Sequence, residues 1–170
     1  MTFKTFDASK AHHRPGFTTY PFHHATGPMP WGAGSVLDLS RIEKLIFLSG
    51  ETGRNPDTDR EPLSWEEMRA GVGHCVPGGI KAQTRATWER IKESLDGMGA
   101  SMEDIVNVVY YLVDNDDAWD MMQTTHAFWK EHAPGLLANR RAGTFIKGIK
   151  LDIPDMLIEI QVYAIIPKKG

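Results

Sequence analysis

The sequence predicts an α+β domain in which one sheet is backed by two long helices. Two segments carry apolar residues at helical spacing, several short runs are rich in β-branched and aromatic residues, and the final run alternates so that one face is wholly apolar. With 170 residues, a single domain with a real core is expected.

Residues 1–33 are rich in Gly, Pro and His and hold no periodicity for long, so they predict an irregular, surface-wrapping arm ahead of a domain over 34–170. "GSVLDLS" (Gly34 to Ser40) and "EKLIFLSG" (Glu43 to Gly50) then predict the two strands of a hairpin. "ETGRNPDTDREP" follows, dense in turn formers. Residues 61–77, "EPLSWEEMRAGVGHCVP", are a long link expected to cap a site as a lid or to be a surface excursion.

Ile80, Thr84, Trp88, Ile91, Leu95 and Met98 fall on one helical face, and Gly97 and Gly99 supply the stop. Ser101 stands three before Asp104, the spacing of a capping box, and runs into "IVNVVYYLVD", which predicts a strand. A second helix over Asp116 to His132 would bury Ala118, Met122, Thr125 and Trp129, and Pro134-Gly135 would end it. Two strands close the chain, "RAGTFIKGIKL" and "DMLIEIQVYAII". In the second, Met156, Ile158, Ile160, Val162, Ala164 and Ile166 share one face, while Leu157, Glu159, Gln161 and Tyr163 share the other. The mixed face needs water, a cavity or another subunit opposite it, and Glu159 points into that space.

Composition excludes several classes of function. Lys and Arg number 19 against 22 Asp and Glu, a net charge of −3, and no basic run forms the stripe that a nucleic-acid binder needs. The opening "MTFKTFDASKAHHRPG" lacks the apolar core of a secretory signal, and the longest apolar run, "VVYYLV", is far short of the roughly 20 residues that span a bilayer. A soluble, cytoplasmic chain without a membrane partner is the expectation. Cys75 is the only cysteine, which precludes an internal disulfide, and no base can be named for it as a nucleophile. The 7 histidines lack the spacing of a metal motif, so no metal is expected, although His23 or His24 could meet His74 and Cys75 in space.

The phrases "LIFLSGETG", "GGIKAQTRATWERIKESLDGMGASMEDIVNVVYYLVD" and "MLIEIQVYAIIP", in one register from about Met29 to Pro167, resemble the RidA/YjgF family of reactive-intermediate deaminases. The resemblance implies a chorismate-mutase-like α+β subunit in a homotrimer, with sites in clefts between neighbouring subunits. It implies cofactor-free chemistry in which water attacks the imine carbon of a 2-imino acid formed from an enamine. Ammonia leaves and a 2-keto acid remains.

Residue by residue, Ser49, Gly50 and Glu51 match the family's Ser-Gly-Gln at the cleft wall. Trp31 stands where the family has a site tyrosine, keeping a stacking surface but no hydroxyl. Gln123, four after Trp119, takes the place of a family asparagine, and Glu159 matches the carboxylate that holds or activates the water.

The family's acid-gripping arginine sits in a Pro-Ala-Arg-(Ser/Thr) phrase, where this chain reads "NRRAGTF". Aligning Thr144 with the Ser/Thr puts the nearest arginine, Arg141, two residues early. Either Arg141, rather than Arg140, reaches an acid that is larger or differently placed, or the grip is missing; the two arginines could equally be solvated strand-end charges. The expected function is an ammonia-releasing deaminase acting on an imine, enamine or related amino acid derivative, including bulkier aromatic or ring-opened catabolites such as aminomuconate-like or hydroxylamino-aromatic acids. A non-catalytic small-acid binder or protein-protecting member of the same fold is the alternative.

Overall fold

The computed structural model describes residues 8–21, 31–60, 63–71 and 73–169. The arm is not irregular throughout: β1 (His12–Arg14) and β2 (Phe17–Tyr20) form a tight hairpin over Pro15-Gly16, with Gly16 at φ +85°. β3 (Gly34–Leu37) pairs with β2, completing a separate three-stranded sheet.

This corrects the expected hairpin between Gly34–Ser40 and Glu43–Gly50. Asp38 accepts from the Ser40 N–H at 3.1 Å and from its hydroxyl at 2.6 Å, and the Arg41 N–H donates to the Asp38 carbonyl at 3.0 Å. The resulting 3-10 turn redirects the chain, so that β4 (Ile42–Phe47) enters the main sheet beside the last strand instead.

After β4 comes the two-residue β5 (Glu51–Thr52), then the short helices α1 (Pro56–Arg60) and α2 (Trp65–Arg69), the latter opened by a Ser64–Glu67 capping box. The long helix α3 (Gly79–Gly97) buries Ile80, Thr84, Trp88, Ile91 and Leu95 as its spacing requires. Met98 departs from that face and is 49% exposed, because the helix has ended before it. The Ser101–Asp104 capping box is formed and leads into β6 (Ile105–Leu112).

The second long helix, α4 (Ala118–His132), buries Met121, Thr125, Phe128 and Trp129. Its buried face is thus turned from the expected one, with Ala118 and Met122 packing at the rim. Pro134 does not simply stop the helix but opens α5 (Pro134–Ala138) at its first turn. β7 (Ala142–Lys147) and β8 (Ile158–Pro167) complete the chain.

The main sheet runs β4-β8-β6-β7, with β5 also pairing β8; β8 is antiparallel to β4, β5 and β6, and β6 and β7 are parallel. α3 and α4 cover one face, where Ile158, Ile160, Val162 and Ala164 of β8 are buried as the alternation predicts. Trp88 and Trp129 meet there edge to face at 5.3 Å, and the Trp88 indole donates to Thr125 Oγ1 at 3.0 Å. On the other face, Ile165, Val106 and Ile42 pack beneath Phe17 of the arm. The remainder of that face is open: Phe47 is 72% and Leu45 47% exposed, beside Tyr163. Among the described residues, no helix is long and apolar enough to cross a membrane.

Candidate functional site

The turn from β4 into β5 carries the chain across the end of β8, where Thr52 pairs with Glu159 and Glu51 with Ile160. Two glycines permit this close passage. A Cβ on Gly50 would run into the Glu159 carboxylate, and one on Gly53 would lie 2.6 Å from the Gln83 Cα of α3. Without side chains at either position, β5 is held between the strand that carries Glu159 and the helix behind it.

A cleft of about 330 Å³ opens here. Glu159 and Met156 from β8 and the loop before it form one side, Gly50 to Thr52 and Arg54 another, and Arg90 and Asp152 complete it. Glu159 is half-buried, and desolvation raises its carboxyl above the ordinary value of 4.5. The Arg90 guanidinium donates through Nε to Glu51 at 3.1 Å, and the Ser94 hydroxyl donates to the other Glu51 oxygen at 3.4 Å. The wall therefore carries charges of both signs around a carboxylate that resists ionisation.

From the segment expected to be a lid or surface excursion, residues 74–76 back this wall. Cys75 bridges Arg54 in the backbone, the Val76 N–H donates to the Gly53 carbonyl at 2.8 Å, and the Asn55 N–H donates to the His74 carbonyl at 2.8 Å. The Cys75 N–H donates to Asp155 at 2.8 Å, while Gln83 clamps the same loop, donating to the Asp155 carbonyl at 2.7 Å and accepting from the Leu157 N–H at 2.9 Å. Residues 74–76 thus brace the turn bearing Arg54 and the loop leading to Met156. Burial pushes the Cys75 thiol up to about 12, with the Asp155 charge adding to it, so it stays protonated at neutral pH.

The family model described as endoribonuclease L-PSP matches residues 35–166, most of the chain. The chain belongs to the Rid/YjgF family. A RutC family protein from Pyrococcus horikoshii is 34% identical over 135 residues, covering 79% of this chain and 90% of its own. One from Pyrococcus abyssi is 29% identical over 113 residues, covering 66% and 78%. Among solved structures, a conserved Rid-family protein of unknown function from Yersinia pestis superposes with a TM-score of 0.66 at 19% identity, covering 89% of this chain and 99% of that one. The YjgF gene product of E. coli gives a TM-score of 0.55 at 24% identity, over 76% and 84%. These structures establish the fold as that of the Rid/YjgF proteins.

Within this Rid/YjgF chain the expected site residues fall into separate groups. Gly50, Glu51 and Glu159 meet in the cleft, and Ser49 is exposed on the turn that enters it. Trp31 packs instead against Tyr110 and Phe145, with ring centroids 6.4 and 5.7 Å away, at the rim of the core. Gln123 is exposed on α4, outside the cleft.

Arg141 is 1% exposed. Its Nε donates to the Ile105 carbonyl at 2.7 Å, its Nη2 to the Glu103 carbonyl at 3.1 Å and its Nη1 to the Asn139 carbonyl, and the guanidinium lies over the Phe17 ring at 5.0 Å. It precedes Ala142, opposite Asn107, whereas Glu159 is opposite Tyr111, roughly 13 Å farther along β6. The expected acid grip by Arg141 is thus corrected within the chain: the side chain curls back onto main-chain carbonyls and ties β7 to the 3-10 turn before β6.

Arg54, Arg90 and Asp152 were not found by sequence reasoning. For Arg90 a signal existed, since Gln83, Thr87, Arg90 and Ser94 form a polar row at helical spacing beside the apolar stripe of α3. His23 and His24 lie outside the described residues. Among those described, no three His, Cys, Asp or Glu residues are placed to hold a metal ion.

Proposed function

We propose that this chain is an ammonia-releasing deaminase that hydrolyses an imine, the tautomer of an enamine, derived from an amino acid. The observation carrying this reading is the half-buried Glu159 carboxylate, raised in pKa, at the wall of a cleft of amino-acid dimensions in a Rid/YjgF fold. A carboxylate shifted toward neutrality is a better proton acceptor than a solvated one.

Glu159 accepts a proton from a water as its oxygen bonds to the imine carbon, and the C=N double bond becomes a single bond. That proton passes to the nitrogen of the tetrahedral adduct, the adduct's hydroxyl then gives its remaining proton to the same nitrogen by way of Glu159, and the C–N bond breaks so that ammonia leaves as the carbonyl forms. Imine and water balance ammonia and keto acid, so no oxidant, reductant or further co-reactant enters.

The assembly proposed with this chemistry is a homotrimer, for which the open sheet face around Leu45, Phe47 and Tyr163 provides a self-association surface. The test is to generate 2-imino acids in situ from amino acids with an amino-acid oxidase and follow keto acid formation with and without the chain. Acceleration that is lost in Glu159→Gln supports the deaminase. Binding of the keto acids without acceleration favours a non-catalytic small-acid binder.

A further inference from the structure

Resting on the deaminase reading, one buried polar side chain behind the cleft wall gains a role. Gln83 of α3 is 4% exposed, and both ends of its amide are committed to the main chain that leads into β8. We propose that Gln83 is a positioning residue for Glu159, setting the 152–157 loop and with it the place at which β8 delivers the carboxylate to the cleft.

The loop has little regular structure of its own: it contains a single turn, in which the Met156 N–H donates to the Ile153 carbonyl at 3.1 Å. Its position is imposed by neighbours. The Gln83 amide donates to the Asp155 carbonyl at 2.7 Å and accepts from the Leu157 N–H at 2.9 Å. It therefore brackets Met156, which lines the cleft, and its second contact lies two residues before Glu159. The Asp155 carboxylate accepts from the Cys75 N–H at 2.8 Å, and the Leu157 carbonyl accepts from the Val113 N–H at 3.1 Å.

Gln83 is itself held in place. Its carbonyl accepts from the Thr87 hydroxyl at 2.7 Å, and its Cα lies 2.6 Å from where a Cβ on Gly53 would stand. One helical residue thus meets both walls of the cleft, the turn after β5 through Gly53 and the approach to β8 through Asp155 and Leu157. An amide suits this place because it donates and accepts at once without a charge, and two main-chain groups are left in need of a partner if it is removed. A loop displaced by about 1 Å carries Glu159 with it, and an error of that size at a reacting group costs on the order of 10²-fold in rate.

The experiment compares the parent with Gln83→Met, which keeps the length and loses both hydrogen bonds, with Gln83→Glu, and with Ile91→Val, a core truncation farther along α3 that lowers stability without touching the loop. Each is followed by melting, by carbon NMR titration of the Glu159 carboxyl, by the backbone amide signals of the loop and by imine turnover. In Gln83→Met the Glu159 titration should move down toward that of an ordinary glutamate as the loop admits water, and kcat should fall at least ~10-fold with KM near parental. Ile91→Val should melt lower with parental titration and kcat. In Gln83→Glu the carboxylate accepts from Leu157 but cannot donate to Asp155, whereas the protonated acid does both, so the loop signals should be displaced at about pH 8 and recover as the new carboxyl is protonated. That acid recovery reads the bracket even if Gln83→Met does not fold. A folded Gln83→Met with parental Glu159 titration, or with parental kcat in an active chain, overturns the proposal. So does Gln83→Glu without acid recovery, or Ile91→Val that moves the titration as far as Gln83→Met. A parent without imine turnover sinks the deaminase reading alone, and the titrations then decide the place of Gln83.

Discussion

At Glu159 the position of the side chain was legible and its environment was not. Alternation along β8 placed it on the mixed face, but the burial that raises its pKa is not a local property of that strand: Gly50 passes closely over the carboxylate and β5 joins β8 through a two-residue pairing. Its sign can be worked out. Burial disfavours the charged form, so the folded chain binds this proton more tightly than the unfolded chain. The favourable contribution is full below about 4.5 and is lost as pH rises through the raised folded value. Glu159→Gln should therefore melt at or above the parent at pH 7.5, with the difference closing toward pH 4, while imine turnover drops about 10²-fold. Parental kcat/KM should fall on the acid side through a pKa above that of a free glutamate. Arg141 shows the opposite failure: strand parity ranks it above Arg140 for a given face, yet says nothing of a long side chain turning back onto carbonyls. Burial, and next the neighbouring Arg14 charge, lower it to about 10, so it remains cationic at neutral pH. Arg141→Met leaves the Ile105 and Glu103 carbonyls without this donor and should cost about 2–4 kcal/mol in urea unfolding. A parental unfolding midpoint with a raised KM would return Arg141 to the site.

Among the elements, α3 and α4 were readable because helical periodicity is a local property of the chain, whereas strand partners are a property of the whole sheet. Sequence adjacency suggested that Gly34–Leu37 pairs with Ile42–Phe47; the Asp38–Ser40 hydrogen bonds break that neighbour relation and send the two strands to different sheets. Ser35 then couples the sheets, its hydroxyl donating to the Val106 carbonyl at 2.8 Å and accepting from the Ala142 N–H at 3.2 Å. The seating of β5 against α3 depends on Gly53. A methyl there meets the Gln83 backbone, which cannot swing aside as a side-chain tip can, so Gly53→Ala should destabilise by about 1–3 kcal/mol and displace the turn bearing Arg54. Thermal unfolding with imine turnover checks both effects; unchanged values would mean that α3 yields at this contact.

For the whole molecule, the trimer proposed above predicts light scattering at about three times the 19.0 kDa chain mass. Phe47→Asp, which places a charge on the open sheet face, should yield a folded monomer with an unchanged far-ultraviolet spectrum. A parent that scatters as a monomer at micromolar concentration would overturn the intersubunit arrangement. The central place of β8 has a consequence of another kind. The latest strand in sequence lies between β4 and β5 on one side and β6 on the other, and none of these earlier strands is paired with another of the three. During synthesis, three of the sheet's five strands leave the ribosome with the edge meant for β8 bare, and that pairing waits for Ile158–Pro167 to emerge. The helices can form on the nascent chain, but the domain cannot close cooperatively until its final strand arrives, which makes the growing polypeptide a client for chaperones that cover strand edges.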